Sequence, residues 1–418
     1  MADWAHLNRD VLELIAKRLY LTDYQRFSAV CSSWRSLILE RSNCKFPCLV
    51  LSDDDKGPET HAFFRLFDDK IIRLELPEIH GMRCCGSSHG WLITASNNSE
   101  SLHLLNPFAR LQIQLPPPSK FPFHQFTNSP QEPINTLFIH KAIISSDPAS
   151  SPDFIVMAVY SETHKLAFLK KGDENWRHVD TSSSSGVYIL DLIYHKGKFY
   201  AVSQDGRVLL CHLEGMNPRT TEIAPSPIKD VFFQSRYIVE SLSGELLQVC
   251  RSVIHRDGII FINDKDLPSD DDNFQSDDDD LPSDDDVEAR RLNNEYYPHE
   301  TDSFKVFKLE ETSEEAPQQR WVELTSLGED TLFFLGQNAS LSLSLRDFPS
   351  FQGKGNRIYF SDDYYEDYFR FPEDKCPDVN CTDFVVGSLE DGSIKPFLPH
   401  GITHSGLTPP IWLMPNPS

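Results

Sequence analysis

Gly86-Ser87-Ser88-His89-Gly90 satisfies the G-x-S-x-G spacing with which a hydrolase exposes a nucleophilic serine on a strained strand-to-helix elbow. Acyl transfer at Ser88 would need a helix immediately afterwards, because the turn into that helix supplies the oxyanion-hole geometry. The next residues are Trp91-Leu92-Ile93-Thr94-Ala95, a β-prone run, and then Asn97-Asn98, a turn. The segment therefore reads as a glycine-containing turn entering a strand, with a serine hydrolase at Ser88 as the enzymatic alternative. The cysteines offer little more. Cys44/Cys48 and Cys376/Cys381 are close in sequence, but neither pair has a matching Cys/His pair at zinc-finger spacing. No P-loop, dinucleotide fingerprint or HExxH motif occurs. The sequence thus predicts no catalytic residue, no metal site and no cofactor.

A different chemistry is written between Asp264 and Glu288. Asp-Leu-Pro-Ser-Asp-Asp-Asp occurs twice there, starting at Asp266 and at Asp280. Ser269, Ser276 and Ser283 each precede at least three aspartates, the pattern that an acidophilic kinase such as casein kinase 2 accepts. The alternative is a merely solubilising acidic loop. Thirteen acids against one lysine repel one another, proline blocks strand pairing, and little is apolar. A disordered insertion is expected from about 264 to 300, where paired carboxylates have no fixed separation for acid–base work.

The elements around these motifs differ between the two ends of the chain. Near the amino terminus the apolar period is helical. Asn8 is a good N-cap, and Val11, Leu12, Ile15 and Leu19 then fall within one quadrant of a helical wheel, with Leu14 widening the stripe. Thr22-Asp23-Tyr24-Gln25 fits a capping box, and Tyr24, Phe27 and Cys31 share a face. Trp34, Leu37 and Ile38 come next at i, i+3 and i+4. Each helix is only about three turns, too short to be stable alone, so they must pack on one another and on something else.

From Phe46 onward the pattern is short apolar strands punctuated by turn residues. Phe199–Leu209 and Tyr237–Leu247 share a strand, Asp-Gly or Ser-Gly, strand arrangement, with Gly206 and Gly244 thirty-eight residues apart, and Phe384–Ile394 is a looser copy. A hairpin-bearing period near forty residues is the size of one propeller blade; a sandwich with repeated hairpins is the alternative. The predicted architecture is a small all-α module over 1–45, then an all-β propeller of six or seven blades over 46–418. Ring closure is expected between the strand near Leu49 and the segment around Phe384–Phe397.

Bulk properties narrow the function classes. The chain has 418 residues, 39% hydrophobic and 11% aromatic, with no apolar run long enough to span a bilayer and no secretory signal pattern at its start. Nine scattered cysteines suit a reducing compartment, so a nuclear or cytoplasmic location is expected. Net charge is −24, half of it from the acidic segment, and no basic stripe exists to meet phosphates, which disfavours nucleic acid as a partner.

The amino-terminal pattern Trp4, Leu7-Asn8, Asp10-Val11-Leu12, Ile15, Leu19, then Tyr24, Phe27, Val30-Cys31, Trp34-Arg35 resembles the F-box, with Asn8 where that family usually has proline. The body is similar to plant F-box proteins with the domain of unknown function 295, the KIB-type propeller. The matching stretches are Gly86–Ile93, Leu104–Phe108 with Ile113, Leu115 and Pro116, Tyr194 with Gly197–Tyr200, and Arg357–Asp363 with Phe384 and Gly387. The resemblance implies a substrate-recognition subunit of an SCF ubiquitin ligase. It would dock a Skp/ASK adaptor, and through it cullin, and present an unidentified protein substrate. It assigns Leu7, Asn8, Val11, Leu12, Ile15 and Leu19 to the adaptor face, with Trp34 anchoring either side, or else these residues form only a core. A ligase-independent F-box scaffold is the other non-enzymatic alternative.

Overall fold

The structure is a computed structural model describing residues 4, 7–16, 27, 30–39, 46–53, 60–96, 101–122, 138–161, 163–181, 187–228, 235–255, 260–261, 295–296, 299–311, 319–363, 383–398 and 410–416. Among the described residues, two helices come first, α1 (Arg9–Ala16) and α2 (Ser32–Leu39), with the helical residue Phe27 between them. Asn8 performs the predicted capping: its Oδ1 accepts the Asp10 amide at 2.8 Å.

Apart from the short 3-10 helices Pro77–Ile79, Pro118–Lys120 and Leu345–Asp347, the remaining regular structure among the described residues is strand, nearly all of it in six sheets around an axis. The first sheet holds β1 (Cys48–Asp53), β2 (Thr60–Arg65) and β3 (Lys70–Glu75), completed by β27 (Ile411–Leu413). The second runs β4 (Met82–Ser88), β5 (Trp91–Ser96), β6 (Leu102–Asn106), β7 (Leu111–Leu115). The third runs β8 (Ile139–Ile144), β9 (Ile155–Tyr160), β10 (Lys165–Lys170), β11 (Arg177–Val179). The fourth runs β12 (Ile189–His195), β13 (Lys198–Ser203), β14 (Val208–His212), β15 (Arg219–Ala224). The fifth consists of β16 (Ser235–Glu240), β17 (Leu246–His255), β20 (His299–Glu311) and β21 (Gln319–Leu324). A two-stranded stem, β18 (Ile260–Phe261) with β19 (Glu295–Tyr296), rises from the connection between β17 and β20. The sixth sheet is ordered β23 (Leu341–Ser344), β22 (Thr331–Leu335), β24 (Arg357–Phe360), β25 (Val385–Gly387), β26 (Ile394–Pro396). This is a six-bladed propeller, the lower of the two expected blade numbers.

Alternate side chains on each strand explain why six sheets make a ring. On β9, Val156 and Ala158 enter the core shared with the second blade, whereas Met157 and Val159 enter the core shared with the fourth. The same division occurs at every blade, giving six apolar cores, one per adjacent pair. Strands buried on both faces read as continuous apolar runs, as these do.

Closure differs from the expectation. β1 pairs with β27, with Leu49 opposite Trp412, and not with 384–397. Residues 385–387 and 394–396 are instead the outer strands of the sixth blade, while Phe384 and Phe397 join the core that Leu49 and Trp412 also occupy. An apolar pattern announced burial in both places and could not distinguish sharing a core from sharing a hydrogen-bond ladder. The Gly206/Gly244 match is corrected too. Gly206 turns the second strand of the fourth blade into its third, whereas Gly244 turns the first strand of the fifth into its second. The two hairpins obey the same turn chemistry at non-equivalent places.

The sixth blade departs from simple up-and-down order, because β22 and β24 pair in parallel. Between β22 and the axial strand β23, residues 336–340 cross the channel. Gln337 Nε2 donates to the carbonyls of Cys85 (3.1 Å) and His140, and the Ala339 amide donates to Ser87 O at 2.8 Å. Lys141 Nζ reaches Gly336 O at 2.9 Å and Asp191 Oδ1 at 2.5 Å. Asp191 Oδ2 accepts the Ile238 amide (2.8 Å) and Ser340 Oγ (3.1 Å). These buried charges are tolerated because they are paired and hydrogen-bonded.

Chain direction separates the two ends of the ring. In an up-and-down blade, first-to-second connections lie at one end and second-to-third connections at the other. β1 is the second strand of its blade, so the helical module is tethered at the first end. β17 and β20 are the second and third strands of theirs, so the acidic insertion departs from the opposite end. Within the segment expected to be disordered, 295–296 and 299–300 are strand: Tyr296 pairs with Ile260 and His299 with His255. The second pairing lengthens the fifth blade and the first forms the separate stem, neither of which sequence charge alone could reveal. Residues 262–294, including Ser269, Ser276 and Ser283, lie outside the described residues.

Trp412 makes closure testable. It is fully buried, with ring centroids 5.0 Å from Phe334 and 5.5 Å from Phe397. Trp412→Ala is expected to destabilise the propeller by about 3–5 kcal/mol in chemical denaturation. A loss well under 1 kcal/mol would remove β27 from its closing role.

Candidate functional site

The helical module has its own core. Leu12, Phe27 and Leu37 are buried together, with Leu7, Ile15 and Trp34 packed around them, and among the described residues no propeller side chain belongs to this cluster. Leu12 lies on the inner face of α1 and Leu37 on that of α2, so each short helix is stabilised by the other. Trp34 acts inside the module. Its ring packs at a tilt against Phe27 with centroids 4.3 Å apart, and its Nε1 donates to the Trp4 carbonyl at 3.0 Å, clasping Trp4 to α2.

Other apolar side chains of the same module face outward. Val11 is 43% exposed, Leu14 58% and Val30 49%, and Trp4 is exposed as well. Of the residues assigned to the adaptor face from sequence, Val11 is thus on the surface. Leu12 is in the core, Leu7 and Ile15 are half-buried at its edge, and Asn8 is exposed at the cap. Leu19 lies outside the described residues. Leu14 and Val30, which the sequence placed only at the margin of the stripe or within a motif, are the exposed additions. Their signal was available: a stripe wider than one helix partner can cover leaves apolar surface over.

Cys31 opens α2, with its carbonyl accepting the Arg35 amide at 3.0 Å and its Sγ 3.0 Å from Ser33 Oγ. The Ser33 hydroxyl and the Trp34 amide hold its thiol below the usual cysteine range. The propeller thiols are opposite in character: burial pushes Cys48 and Cys211 up to about 12 and Cys250 to about 11.

The G-x-S-x-G segment is a β-hairpin joining β4 to β5. A Cβ at Gly86 would collide with the Ala142 carbonyl, so this glycine permits β4 and β8 to approach beside the axis. Gly90 takes a left-handed φ of 85° in the turn. Ser88 Oγ accepts the Ile144 amide at 2.9 Å, tying the second blade to the third. The motif's spacing is accounted for by packing. Among the described residues, no cluster of three or more His, Cys, Asp or Glu side chains is arranged to hold a metal ion, and no helix is long and apolar enough to cross a membrane.

A six-bladed ring preceded by a helical module with its own core defines a propeller carrying a small α-helical domain. Comparison with known proteins specifies the kind. The KIB1-4 beta-propeller family model matches residues 63–384, and the F-box domain model matches residues 4–46. The chain belongs to the KIB1-4 beta-propeller family and carries an F-box ahead of the propeller. It is 25% identical to the F-box protein SKIP23 of Arabidopsis thaliana over 93% of this chain and 91% of that protein. It is also 25% identical to the F-box/kelch-repeat protein KIB1 of Arabidopsis thaliana, over 58% of this chain and 61% of that protein. Among solved structures it is similar to the Cps50 (Swd1) beta-propeller domain of Myceliophteria thermophila, with 8% identity, coverage of 86% and 88% of the two chains and a TM-score of 0.34.

The lowered thiol of Cys31 predicts a larger thiolate fraction at neutral pH and faster alkylation. In native protein treated briefly with iodoacetamide, mass spectrometry should find Cys31 labelled well before Cys48, Cys84, Cys85, Cys211 and Cys250. Equal labelling of Cys31 and Cys211 would contradict this assignment.

Proposed function

We propose that this chain is the substrate-recognition subunit of an SCF-type ubiquitin ligase. The F-box docks a Skp/ASK adaptor and, through it, cullin; the propeller holds a protein substrate. The observation that carries this reading is the exposed set Val11, Leu14 and Val30 on a module whose own core is already closed by Leu12, Phe27 and Leu37. Apolar side chains left outward around a buried core are the mark of a surface awaiting a partner. Ubiquitin transfer belongs to other subunits, and this chain contributes proximity by raising the local concentration of substrate beside the ligase.

The arrangement of ends supports a division of labour. The F-box is tethered at the end with first-to-second connections, leaving the other end, from which the acidic insertion departs, for the substrate. Phosphorylation at Ser269, Ser276 and Ser283 would add charge to that insertion and tune what it attracts. The protein works in the nucleus, the cytoplasm or both, where such ligases meet their substrates.

The exposure pattern separates docking from folding. Val11→Asp combined with Leu14→Asp is expected to reduce adaptor co-purification by about a hundredfold, the loss of one or two interface anchors, while the propeller's melting transition stays in place. Leu12→Asp is expected to unfold the module itself. If the surface double variant binds adaptor as well as wild type, or wild type binds none, the SCF reading falls. Alkylated Cys31, beside Val30, supplies a footprint: its labelling should slow when adaptor is bound.

A further inference from the structure

Three rings form a ladder at the end of the propeller away from the F-box. His140 stacks on His164 with centroids 4.0 Å apart, and His164 meets Tyr188 at 5.7 Å in an edge-on arrangement. Each ring comes from a different place in the chain. His140 opens β8, His164 sits in the connection from β9 to β10, and Tyr188 precedes β12. Starts of axial strands and second-to-third connections lie at one end of the ring, so the ladder shares its end with the connection from β17 to β20, within whose sequence the acidic run falls.

The ladder is held firmly. His140 Nε2 pairs with Ser161 O at 2.8 Å, His164 Nδ1 with Ile189 O at 2.9 Å, and the Gln204 amide donates to Tyr188 O at 2.8 Å. The inner end is fixed by Gln337, which donates to the His140 carbonyl from within the channel. Burial, with His164 alongside, pushes His140 down to about 3, so its ring is uncharged at neutral pH and does not repel an approaching cation. The outer end is Tyr188, 40% exposed. This side chain thus presents an aromatic surface on a rigid base and makes no contribution to any blade core.

We propose that Tyr188 is the stacking platform for an arginine side chain of the protein substrate, and that the segment presented to this end of the propeller is basic. The inference rests on the substrate-receptor reading and names the class of substrate. Guanidinium is planar and weakly hydrated, and it stacks on aromatic faces better than an ammonium does. The charge balance of the chain matches such a partner. Net charge is −24, and the connection leaving from this end carries thirteen acids and one lysine between Asp264 and Glu288. That charge acts at a distance, drawing a basic segment in; the platform discriminates arginine from lysine at contact.

The test uses the full chain and fluorescein-labelled peptides of nine arginines, nine lysines and nine glutamates, read by anisotropy at about 50 mM salt, where exposed charges are weakly screened. Wild type should bind the arginine peptide more tightly than the lysine peptide and leave the glutamate peptide free. Tyr188→Ala should weaken arginine-peptide binding by about threefold and leave lysine-peptide binding unchanged, abolishing the preference; Tyr188→Phe should keep it. Replacing residues 262–294 by a short Gly/Ser linker between β18 and β19 should weaken both basic peptides by about tenfold or more. Unchanged arginine binding in Tyr188→Ala, equal loss for both peptides, or no binding by wild type overturns the proposal. Adaptor co-purification is measured on the same proteins. Its loss in wild type defeats the ligase reading, whereas its retention with no arginine preference defeats only the platform.

Discussion

Every blade of this protein is apolar on both faces, and that constraint shapes everything else. A four-stranded sheet with one apolar face needs one neighbour; a sheet with two needs two, and any open row of such sheets ends in exposed apolar surface. A ring has no end. The six shared cores are its consequence, each built from alternate residues of strands such as Val156-Met157-Ala158-Val159. Closure then depends on which segment joins the first blade, and three residues near the carboxyl terminus, Ile411–Leu413, do so beside β1. Asn416 extends the fastening: it accepts from Asn106 Nδ2 at 2.7 Å and donates to Asp147 at 3.0 Å, reaching the second and third blades.

The axis solves a second problem. Strands converging on a channel bring polar backbone and charged side chains together away from water. Lys141 and Asp191 sit there almost wholly buried, with Gly336, Ser340 and the Ile238 amide as further partners. A buried ion pair gains little net stability over apolar packing, but losing one partner strands the other, so a saturated network favours one arrangement. Residues 336–340 thereby occupy the channel and are tied to the second, third and fourth blades at once. The result is a filled disc with two distinct ends: the F-box tether enters at one, and the ring ladder and the connection from β17 to β20 lie at the other.

Much of this was legible from residue order. Helical period over Val11–Ile15 and the Asn8 cap located α1, and the apolar runs within Phe199–Leu209 and Tyr237–Leu247 located strands at the right places. Other features were legible in kind but not in place. Gly206 and Gly244 both announced tight turns, yet turn chemistry carries no information about which strands of a blade are joined. Gly86, Ser88 and Gly90 announced a constrained segment, and only its neighbours reveal the reason: the Ala142 carbonyl, the Ile144 amide and a left-handed turn. The division of the amino-terminal stripe into core and surface was hidden for a similar cause. Val11 and Leu12 are equally apolar, and which of them faces Phe27 and Leu37 depends on how α1 lies against α2.

By itself the sequence determined the local elements and the acidic segment, because periodicity, capping, turn chemistry and charge are properties of neighbouring residues, and its motifs carried the resemblance to F-box and KIB-type proteins. The tertiary structure decided the rest: six blades, Trp412 beside Leu49, a channel filled by 336–340, and rings from three separate segments brought into contact at one end. Those depend on contacts between residues tens to hundreds of positions apart, and an apolar or aromatic side chain shows that it will be covered without showing by what.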